Sequence, residues 1–416
     1  MTFFGQATQP VREMKKHINS ARSKFTILGQ LCNLIPPHLV SSLAKKHNAQ
    51  KKARSFDYWS HVVALIYGKM GHVFGLNDLC DALQLYSGPL SAIRGATPPY
   101  RNTLSHANQE RPSEIAEDLF WGTLEHLRQQ SPGFGGRKFS GALGKLKGSI
   151  HLVDSTTIEL VANCMDWAKH RRRKAAAKAH VRLDFHSLLP SYVVIDTARE
   201  SDASRSRELC AGLKPGEIVV FDRAYVDRKH MADLSAREVV WVTRWKEGMV
   251  CDVLERKPVI EGGKILADEW IALSNGVSAR RIRALVEVDG KEREMTFLTN
   301  QREWAASTVV ALYKARWEIE VFFKQMKQTL KLCDLIGYSA NAIRWQIWIA
   351  LLVHLLMRYL AWVNKWSHSF VRLFALVRSQ LWQRLDLMAT LNRYGTAGGS
   401  YRNLARPEQG YFAEFT

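Results

Sequence analysis

The feature that most constrains the fold is a change of periodicity near residue 149. Upstream, stretches such as YWSHVVALIYGKMG carry apolar residues at helical spacing. Downstream, four short β-branched runs lie between Gly and Pro breaks: SIHLVDSTTIEL, AHVRLDFHSLL, PSYVVIDTARE and GEIVVFDRAYV. We therefore expect an α/β protein with a three-stranded meander, a helix and another strand in the middle of the chain.

The regions on either side of these runs have their own character. In residues 1–148 we predict helices, with Asn77 or Asp78 and Ser113 as N-caps, a loop from SGPL to QERP, and a Gly-rich basic linker at the end. Further strands are predicted in EVVWVTRWK, MVCDVLE, SARRIRALVEV and REMTFLTN. From about residue 303 onward the pattern is helical again.

The charge of the chain points to an anionic partner. Against 39 Asp and Glu residues there are 59 Lys and Arg, which gives a formal charge of +20 over 416 residues. Nucleic acid is the leading interpretation, ahead of a membrane surface or a merely solubilising charge.

Two features bear on location. The six cysteines are isolated, without a CxxC pair, which argues against a zinc module or a disulfide framework. The run WQIWIALLVHLLM is only 13 residues long between Arg344 and Arg358, too short to span a bilayer. We predict a cytoplasmic protein without membrane contact, in which this run is a buried helix.

Two of the predicted strands end in an acid. Asp154 follows HLV and Asp222 follows IVVF. A carboxylate at the tip of a buried strand suits a reaction site, although a strand-end Asp is more often a turn former or a helix cap.

Glu320 supplies a third carboxylate, in YKARWEIEVFFKQMK. On a helix, Tyr313, Arg316, Glu320 and Lys327 fall within an arc of roughly 60°, with Lys324 nearby. This stripe is either a solvated face or part of a site. Three acids in a strongly basic chain favour phosphodiester chemistry, in which carboxylates hold two Mg²⁺ or Mn²⁺ ions.

These motifs resemble a known family. Tyr313, Arg316, Glu320 and Lys327 match the Y-R-E-K signature of the insertion-sequence-4 family of bacterial DDE transposases. VDSTTIEL and FDRAYVD are similar to the family's two Asp motifs, and DWAKHRRRKAAAKAHVRLD resembles the segment between the first two acids. The similarity extends over residues 57 to about 335.

The resemblance implies a ribonuclease H-like core, a mixed five-stranded sheet flanked by helices, with a β-rich insertion. The resemblance implies that the core is formed by residues 149–236 with 300–340, and the insertion by residues 237–299. Residues 1–148 would then form a helical DNA-binding region with its linker, and residues 341–416 a helical region suited to dimerisation.

The resemblance also implies cut-and-paste DNA transposition. Asp154, Asp222 and Glu320 would be the catalytic residues and ligands of two Mg²⁺ ions, while Tyr313, Arg316 and Lys327 would contact double-stranded DNA. Relatives cut through a hairpin intermediate, and some stack a flipped base on a Trp, where this chain offers Met295 or Phe297. Joining two transposon ends requires a homodimer.

Other bases are predicted to bind DNA. A basic run favours phosphate contact over a solvated helix face, and two residues after Asp222 are further candidates. The candidates in the basic run are Lys169, Arg171, Arg172, Arg173, Lys174 and Lys178. Those after Asp222 are Arg223 and Tyr225, and Lys324 near Glu320 is a further candidate. A nuclease of the same fold without joining activity, and a DNA-binding repressor of transposition, are the alternative functions.

Overall fold

The computed structural model describes most of the chain, namely residues 22–49, 56–137, 139–160, 169–171, 174–197, 202–274, 276–288 and 290–393. In this part of the chain, eight helices precede the first strand: α1 (Ile27–Cys32), α2 (Leu39–Lys46), α3 (Tyr58–Gly71), α4 (Leu76–Leu85), α5 (Ser87–Ser91), α6 (Arg101–Glu110), α7 (Glu114–Gln130) and α8 (Gly141–Gly144).

Helices α3, α4 and α7 lie where the apolar spacing predicts them, but their caps differ. Gly75 is the N-cap residue of α4, in place of Asn77 or Asp78. Ser113 does occupy the N-cap position of α7, yet its side chain makes no capping hydrogen bond. The predicted loop from SGPL to QERP is wrong, because it contains α5 and α6. The apolar Leu104 and Ala107 of α6 are buried, so packing outweighs the polar composition of that segment.

Ten strands form one sheet within the described residues. They are β1 (Ile150–Leu160), β2 (Lys169–Arg171), β3 (Lys174–Asp184), β4 (Leu189–Thr197), β5 (Ile218–Phe221), β6 (Val240–Arg244), β7 (Cys251–Arg256), β8 (Ile265–Leu273), β9 (Ser278–Val288) and β10 (Lys291–Thr299).

The sheet order is β2-β3-β1-β5-β6-β10-β9-β8-β7, and β4 pairs with β3 beside β2. Strand β1 is antiparallel to β3 and parallel to β5, and β5 is parallel to β6. The sheet therefore has twice the five strands expected from the sequence. Since β10 pairs antiparallel with β6, the strands of the insertion continue the same sheet.

Helices cover the sheet and close the fold. Between and after the strands lie α9 (Asp202–Cys210), α10 (Arg228–Ala236), α11 (Ala306–Ala315), α12 (Trp317–Lys324), α13 (Ala340–Val363), α14 (Phe370–Ser379) and α15 (Leu387–Arg393). A 3₁₀ turn at Arg223–Tyr225 follows β5, and a π-helical turn at Gln325–Thr329 follows α12.

Two hydrophobic cores lie on opposite faces of the sheet. The larger one joins the N-terminal helices, one sheet face and the C-terminal helices, and it includes Leu152 and Val220. The smaller one contains their neighbours Val153 and Phe221, packed against α9 and α10. Because both faces are covered, the central strand β5 is fully buried, as expected of a parallel strand.

Helix α13 is the apolar run of the sequence analysis, and it is longer than the 13 residues of that run. It has 24 residues and is apolar enough to cross a membrane by length and composition. However, 78% of its most apolar window is buried inside the protein. Trp345 donates a hydrogen bond to the Arg111 carbonyl, and Asn341 donates to the carbonyls of Asn108 and Arg111. Helix α13 is therefore a core helix joined to the N-terminal region.

Candidate active site

The sheet register brings the first two acids together. In the parallel pair β1–β5, Val153 lies opposite Phe221. Asp154 and Asp222 each follow directly on these neighbouring strands. The prediction that strand β1 ends at Asp154 is wrong, because β1 continues to Leu160. Because β5 stops at Phe221, β1 is no longer paired with β5 beyond Val153. Asp154 is the first residue of β1 after this pairing ends.

The third acid reaches the same place from the helix. Arg316 donates from Nη1 to Asp154 Oδ2 at 2.9 Å and from Nη2 to Glu320 Oε1 at 2.6 Å. Tyr313 donates its hydroxyl to Asp222 Oδ1 at 3.0 Å. The structure therefore gathers Asp154, Asp222, Glu320, Tyr313 and Arg316 into one cluster, which we call the carboxylate cluster.

The helix that carries these groups is interrupted twice. Arg316 is both the C-cap of α11 and the N-cap of α12. The helix then becomes π-helical at Gln325. The π turn contains Lys327, so this lysine does not follow the α-helical arc predicted for it. Single π turns in α-helices occur frequently at functional sites.

The N-terminal helices hold the end of this π turn. His72 Nε2 lies 2.9 Å from the Thr329 carbonyl oxygen. The buried Lys69 ammonium donates to the carbonyls of Lys331 and Asp334 at 3.1 and 3.0 Å. Burial lowers the pKa of Lys69 to about 8. These contacts anchor the C-terminal end of the segment that carries Glu320 against α3.

Charge crowding is visible at Asp154. Burial raises the pKa of its carboxyl to about 6, and Asp222 and Glu320 raise it as well, against the opposing effects of Arg316 and the Ser155 N–H. Burial also raises the pKa of Tyr313, which lies against Asp222. For Arg316 burial has the opposite sign, yet the neighbouring Tyr313, Asp154 and Glu320 raise its pKa above the usual value.

The donor set fits a hard divalent cation. Two carboxylates, Asp154 and Glu320, are bonded to the Arg316 guanidinium, and the third, Asp222, lies close enough to raise the pKa of Asp154. Carboxylate oxygen is the ligand that Mg²⁺ and Mn²⁺ prefer. In the described part of the chain, however, no three His, Cys, Asp or Glu side chains are already spaced to hold one ion. Arg316 bridges Asp154 and Glu320, so a cation bound there would have to displace it.

The remaining predicted residues are placed as follows. Arg223 is exposed next to Asp222, and Lys324 and Lys327 are half-buried on the segment of Glu320. Lys169, Arg171 and Lys174 belong to strands β2 and β3, so the helical reading of this basic run is wrong. Arg172 and Arg173 lie outside the described residues.

Three candidate side chains face inward, which corrects their prediction as nucleic-acid contacts. Tyr225 is 1% exposed and packs in the smaller core. Lys178 donates to Asp202 at 2.9 Å, with a side chain that is 15% exposed. Phe297, one of two positions offered for stacking a base, is buried against the Tyr313 ring at a centroid distance of 5.2 Å. Met295, the other position, is half-buried on β10.

Asp202 is a further residue near the site that the sequence does not predict, and it binds Ser155, the residue after Asp154. Ser155 Oγ donates to Asp202 Oδ1 at 2.7 Å. An acid in the first turn of a helix is ordinary, because it complements the helix dipole, so Asp202 carries no distinguishing pattern. Only the serine beside Asp154 hinted at a further partner.

Known families match two parts of the chain. The family described as "Transposase DDE domain" matches residues 145–356, which include all three acids of the carboxylate cluster. A second family, described as "Domain of unknown function (DUF4372)", matches residues 23–92 in the N-terminal helices.

Individual proteins are similar over much of the chain. "Putative transposase y4zB" of Sinorhizobium fredii is 28% identical over 298 residues, 70% of this chain and 80% of that protein. "Probable transposase for insertion sequence element IS5377" of Geobacillus stearothermophilus is 27% identical over 217 residues, 51% of this chain and 56% of that protein. The cryo-EM structure of a piggyBac transposase synaptic complex with hairpin DNA aligns with 95% of this chain and 87% of that one, at 9% identity and a TM-score of 0.44.

Proposed function

Because this chain belongs to the transposase DDE-domain family, we propose that it is a bacterial insertion-sequence transposase that cuts DNA at the ends of its element and joins them to a target. The single observation that carries the proposal is that Asp154, Asp222 and Glu320 lie together in the carboxylate cluster, linked through Arg316 and Tyr313. The match to the Y-R-E-K signature supports placing the chain in the insertion-sequence-4 family.

The catalytic core is ribonuclease H-like in this proposal. The order β4-β3-β1-β5-β6 supports it, with β3 antiparallel to both neighbours and β1, β5 and β6 parallel to one another. In that core, neighbouring parallel strands supply Asp154 and Asp222, and a later helix supplies Glu320. Residues 1–148 recognise the terminal inverted repeats, and residues 341–416 contribute to a homodimer. Residues 237–299 form the insertion, except for β6, which pairs with β5 and belongs to the core.

Asp154, Asp222 and Glu320 hold two Mg²⁺ or Mn²⁺ ions in this proposal. Bound there, such ions supply an activated attacking oxygen and stabilise the leaving oxygen of a phosphodiester. The residues of the chain do the rest of the work. Tyr313 orients Asp222 through its hydroxyl, and Arg316, displaced from Asp154 and Glu320, has a guanidinium free to bind a phosphate in bidentate fashion.

The DNA backbone lies against bases around the carboxylate cluster. Exposed Arg223 and the segment carrying Lys324 and Lys327 flank the acids. The net charge of +20 favours binding to the DNA phosphates. Lys169, Arg171 and Lys174, on β2 and β3, are further DNA contacts in this proposal. We place this protein in the cytoplasm, where bacterial DNA is accessible to it.

The test uses the purified full-length protein and duplex DNA carrying the inverted repeats that flank its own coding region. With Mg²⁺, we expect strand cleavage at the repeat boundary that leaves a 3′-hydroxyl, followed by joined products with target DNA. Hairpin-ended intermediates would show the route of second-strand cleavage. Cleavage without joining would indicate the nuclease, and binding with no metal-dependent cleavage would indicate a repressor; either result contradicts the proposal.

A further inference from the structure

A second polar cluster lies directly behind the carboxylate cluster. Its centre is Asp202, at the start of α9, and its other members are Ser155, Lys178, His180 and Tyr225. Besides the bond from Ser155, Asp202 Oδ2 accepts a hydrogen bond from Lys178 Nζ at 2.9 Å. His180 Nδ1 lies 3.5 Å from Asp202 Oδ1 and 3.1 Å from the Tyr225 hydroxyl. We call these five residues the Asp202 network.

The network touches the neighbours of both strand acids. The Ser155 N–H donates to Asp154 Oδ1 at 2.8 Å, while its hydroxyl binds Asp202, so Ser155 is held at two points. Tyr225 ends the 3₁₀ turn that starts after Asp222, and its N–H donates to the Asp222 carbonyl at 3.0 Å. One carboxylate on α9 thus connects the chain segments that carry Asp154 and Asp222.

The Asp202 carboxylate is ionised and fully engaged. Burial alone raises the pKa of Asp202, but hydrogen bonds from Ser155 and Lys178 outweigh burial and lower it. Both oxygens already accept hydrogen bonds, one from Ser155 and the other from Lys178. Asp202 therefore differs from Asp154: the Lys178 ammonium and the Ser155 hydroxyl stabilise its charge, whereas Asp154 lies near other carboxylates and shares Arg316 with Glu320.

Burial makes the network rigid. His180 and Tyr225 are 0% and 1% exposed, and β3 places His180 directly across from Ser155 on β1. Because the bonded groups are buried, breaking one of their hydrogen bonds costs free energy, so the bonded side chains hold one another in place. Any displacement of Asp202 is then passed to Ser155 and Tyr225.

We propose that Asp202 is a positioning residue of the reaction centre: through Ser155 and Tyr225 it fixes the separation of Asp154 and Asp222, and so their affinity for divalent cations. This inference rests on the proposed function. Residues that orient metal ligands from outside typically change metal affinity about 10- to 100-fold when they are removed.

The experiment measures Mn²⁺ binding to the full-length protein, with free Mn²⁺ followed by electron paramagnetic resonance. We expect Asp202→Asn to weaken binding about 10- to 100-fold. Ser155→Ala removes one hydrogen bond but leaves the Lys178–Asp202 pair, and we expect a smaller loss in the same direction. Asp202→Glu, which keeps the charge, should restore part of the affinity.

Glu208→Gln is the matched control. It removes the same charge from the same helix, where Glu208 pairs with Arg205 outside the network. We expect its Mn²⁺ affinity to equal that of the unaltered protein. Thermal unfolding of each sample shows whether the protein is folded, and if Asp202→Asn does not fold, Ser155→Ala decides the question.

The outcomes separate this inference from the proposed function. If Asp154→Asn abolishes Mn²⁺ binding but folded Asp202→Asn and Ser155→Ala bind normally, the positioning role is refuted and the proposed function stands. An equal loss in Glu208→Gln also refutes it, because the effect would then be one of net charge. If the unaltered protein binds no Mn²⁺, or Asp154→Asn binds it unchanged, the metal centre and the role of Asp202 fail together.

Discussion

Two arginine–carboxylate clusters in this protein differ in their charge balance. In the insertion, Arg280 forms a bidentate pair with Asp268 at 2.7 and 2.6 Å, and the side chains are 3% and 8% exposed. The guanidinium also donates to main-chain carbonyls of residues 301, 302 and 304. One acid faces one base here, so the pair is complete.

The carboxylate cluster has an excess of acid by the same comparison. Arg316 binds both Asp154 and Glu320, and Asp222 lies close enough to raise the pKa of Asp154, so three acids face one guanidinium in the carboxylate cluster. A structural pair is balanced without a ligand, whereas this cluster keeps a need for positive charge. Surplus negative charge, more than burial, therefore distinguishes the carboxylate cluster from the pair of Arg280 and Asp268.

The largest expected effect comes from removing one acid of the surplus. Asp154→Asn should lower metal-dependent DNA cleavage about a thousandfold or more, because groups that act as a unit are lost together. The thermal midpoint should stay the same or rise, since the raised pKa of Asp154 means that its ionised form is disfavoured in the folded protein. Cleavage assays and thermal unfolding on one preparation check both parts.

The balanced pair should respond in the opposite way. Asp268→Asn leaves Arg280 buried with an incomplete partner, and we expect it to lower the free energy of unfolding by about 3–5 kcal/mol. Mn²⁺ affinity of the folded fraction should not change. Urea denaturation gives the first value and Mn²⁺ titration the second. A weaker Mn²⁺ affinity in this variant would show that the two clusters are not independent.

A smaller effect should follow from removing the shared base. Arg316→Gln removes the guanidinium that bridges Asp154 and Glu320, so Mn²⁺ no longer competes with it and should bind about tenfold tighter. Arg281→Gln is the control, because Arg281 pairs with Glu269 in the insertion. Titration of both variants with Mn²⁺ measures the difference, and unchanged affinity in Arg316→Gln would argue against direct competition.

The smallest effect concerns pH. Since the pKa of Asp154 is raised to about 6, protons compete for its carboxylate below that value, whereas an ordinary Asp stays ionised. Mn²⁺ affinity should therefore fall about fourfold between pH 7 and pH 5.5. A flat profile in the unaltered protein would contradict the charge crowding.

The sequence predicts the carboxylate cluster better than it predicts the path of the chain around it. Asp154 and Asp222 follow apolar β-branched runs, and the side-chain alternation of β1 and β5 determines which neighbours are buried. The prediction missed β8, where Ala267, Asp268 and Glu269 interrupt the apolar alternation; Asp268 and Glu269 are buried only because Arg280 and Arg281 pair with them. That compensation comes from another strand and leaves no local pattern.

Other features depend on tertiary contacts in the same way. No Gly or Pro marks the break of the helix at Arg316 or the π turn at Gln325–Thr329. The break coincides with the bonds of Arg316 to Asp154 and Glu320, and the π turn ends on contacts with α3. Likewise, the sequence predicts Lys178 as a surface base within a basic run. Its side chain instead binds Asp202 of α9, a contact between segments that the local sequence does not show.

The most direct test of the central claim, that Asp154, Asp222 and Glu320 share one metal centre, is an Fe²⁺-dependent hydroxyl-radical map of the full-length protein. Iron bound in place of Mg²⁺ cuts the polypeptide close to its ligands. Our account predicts backbone cuts around residues 154, 222 and 320 together, all three lost in Asp154→Asn, Asp222→Asn or Glu320→Gln. Cuts at only one of these segments, or a pattern unchanged by these substitutions, would contradict it.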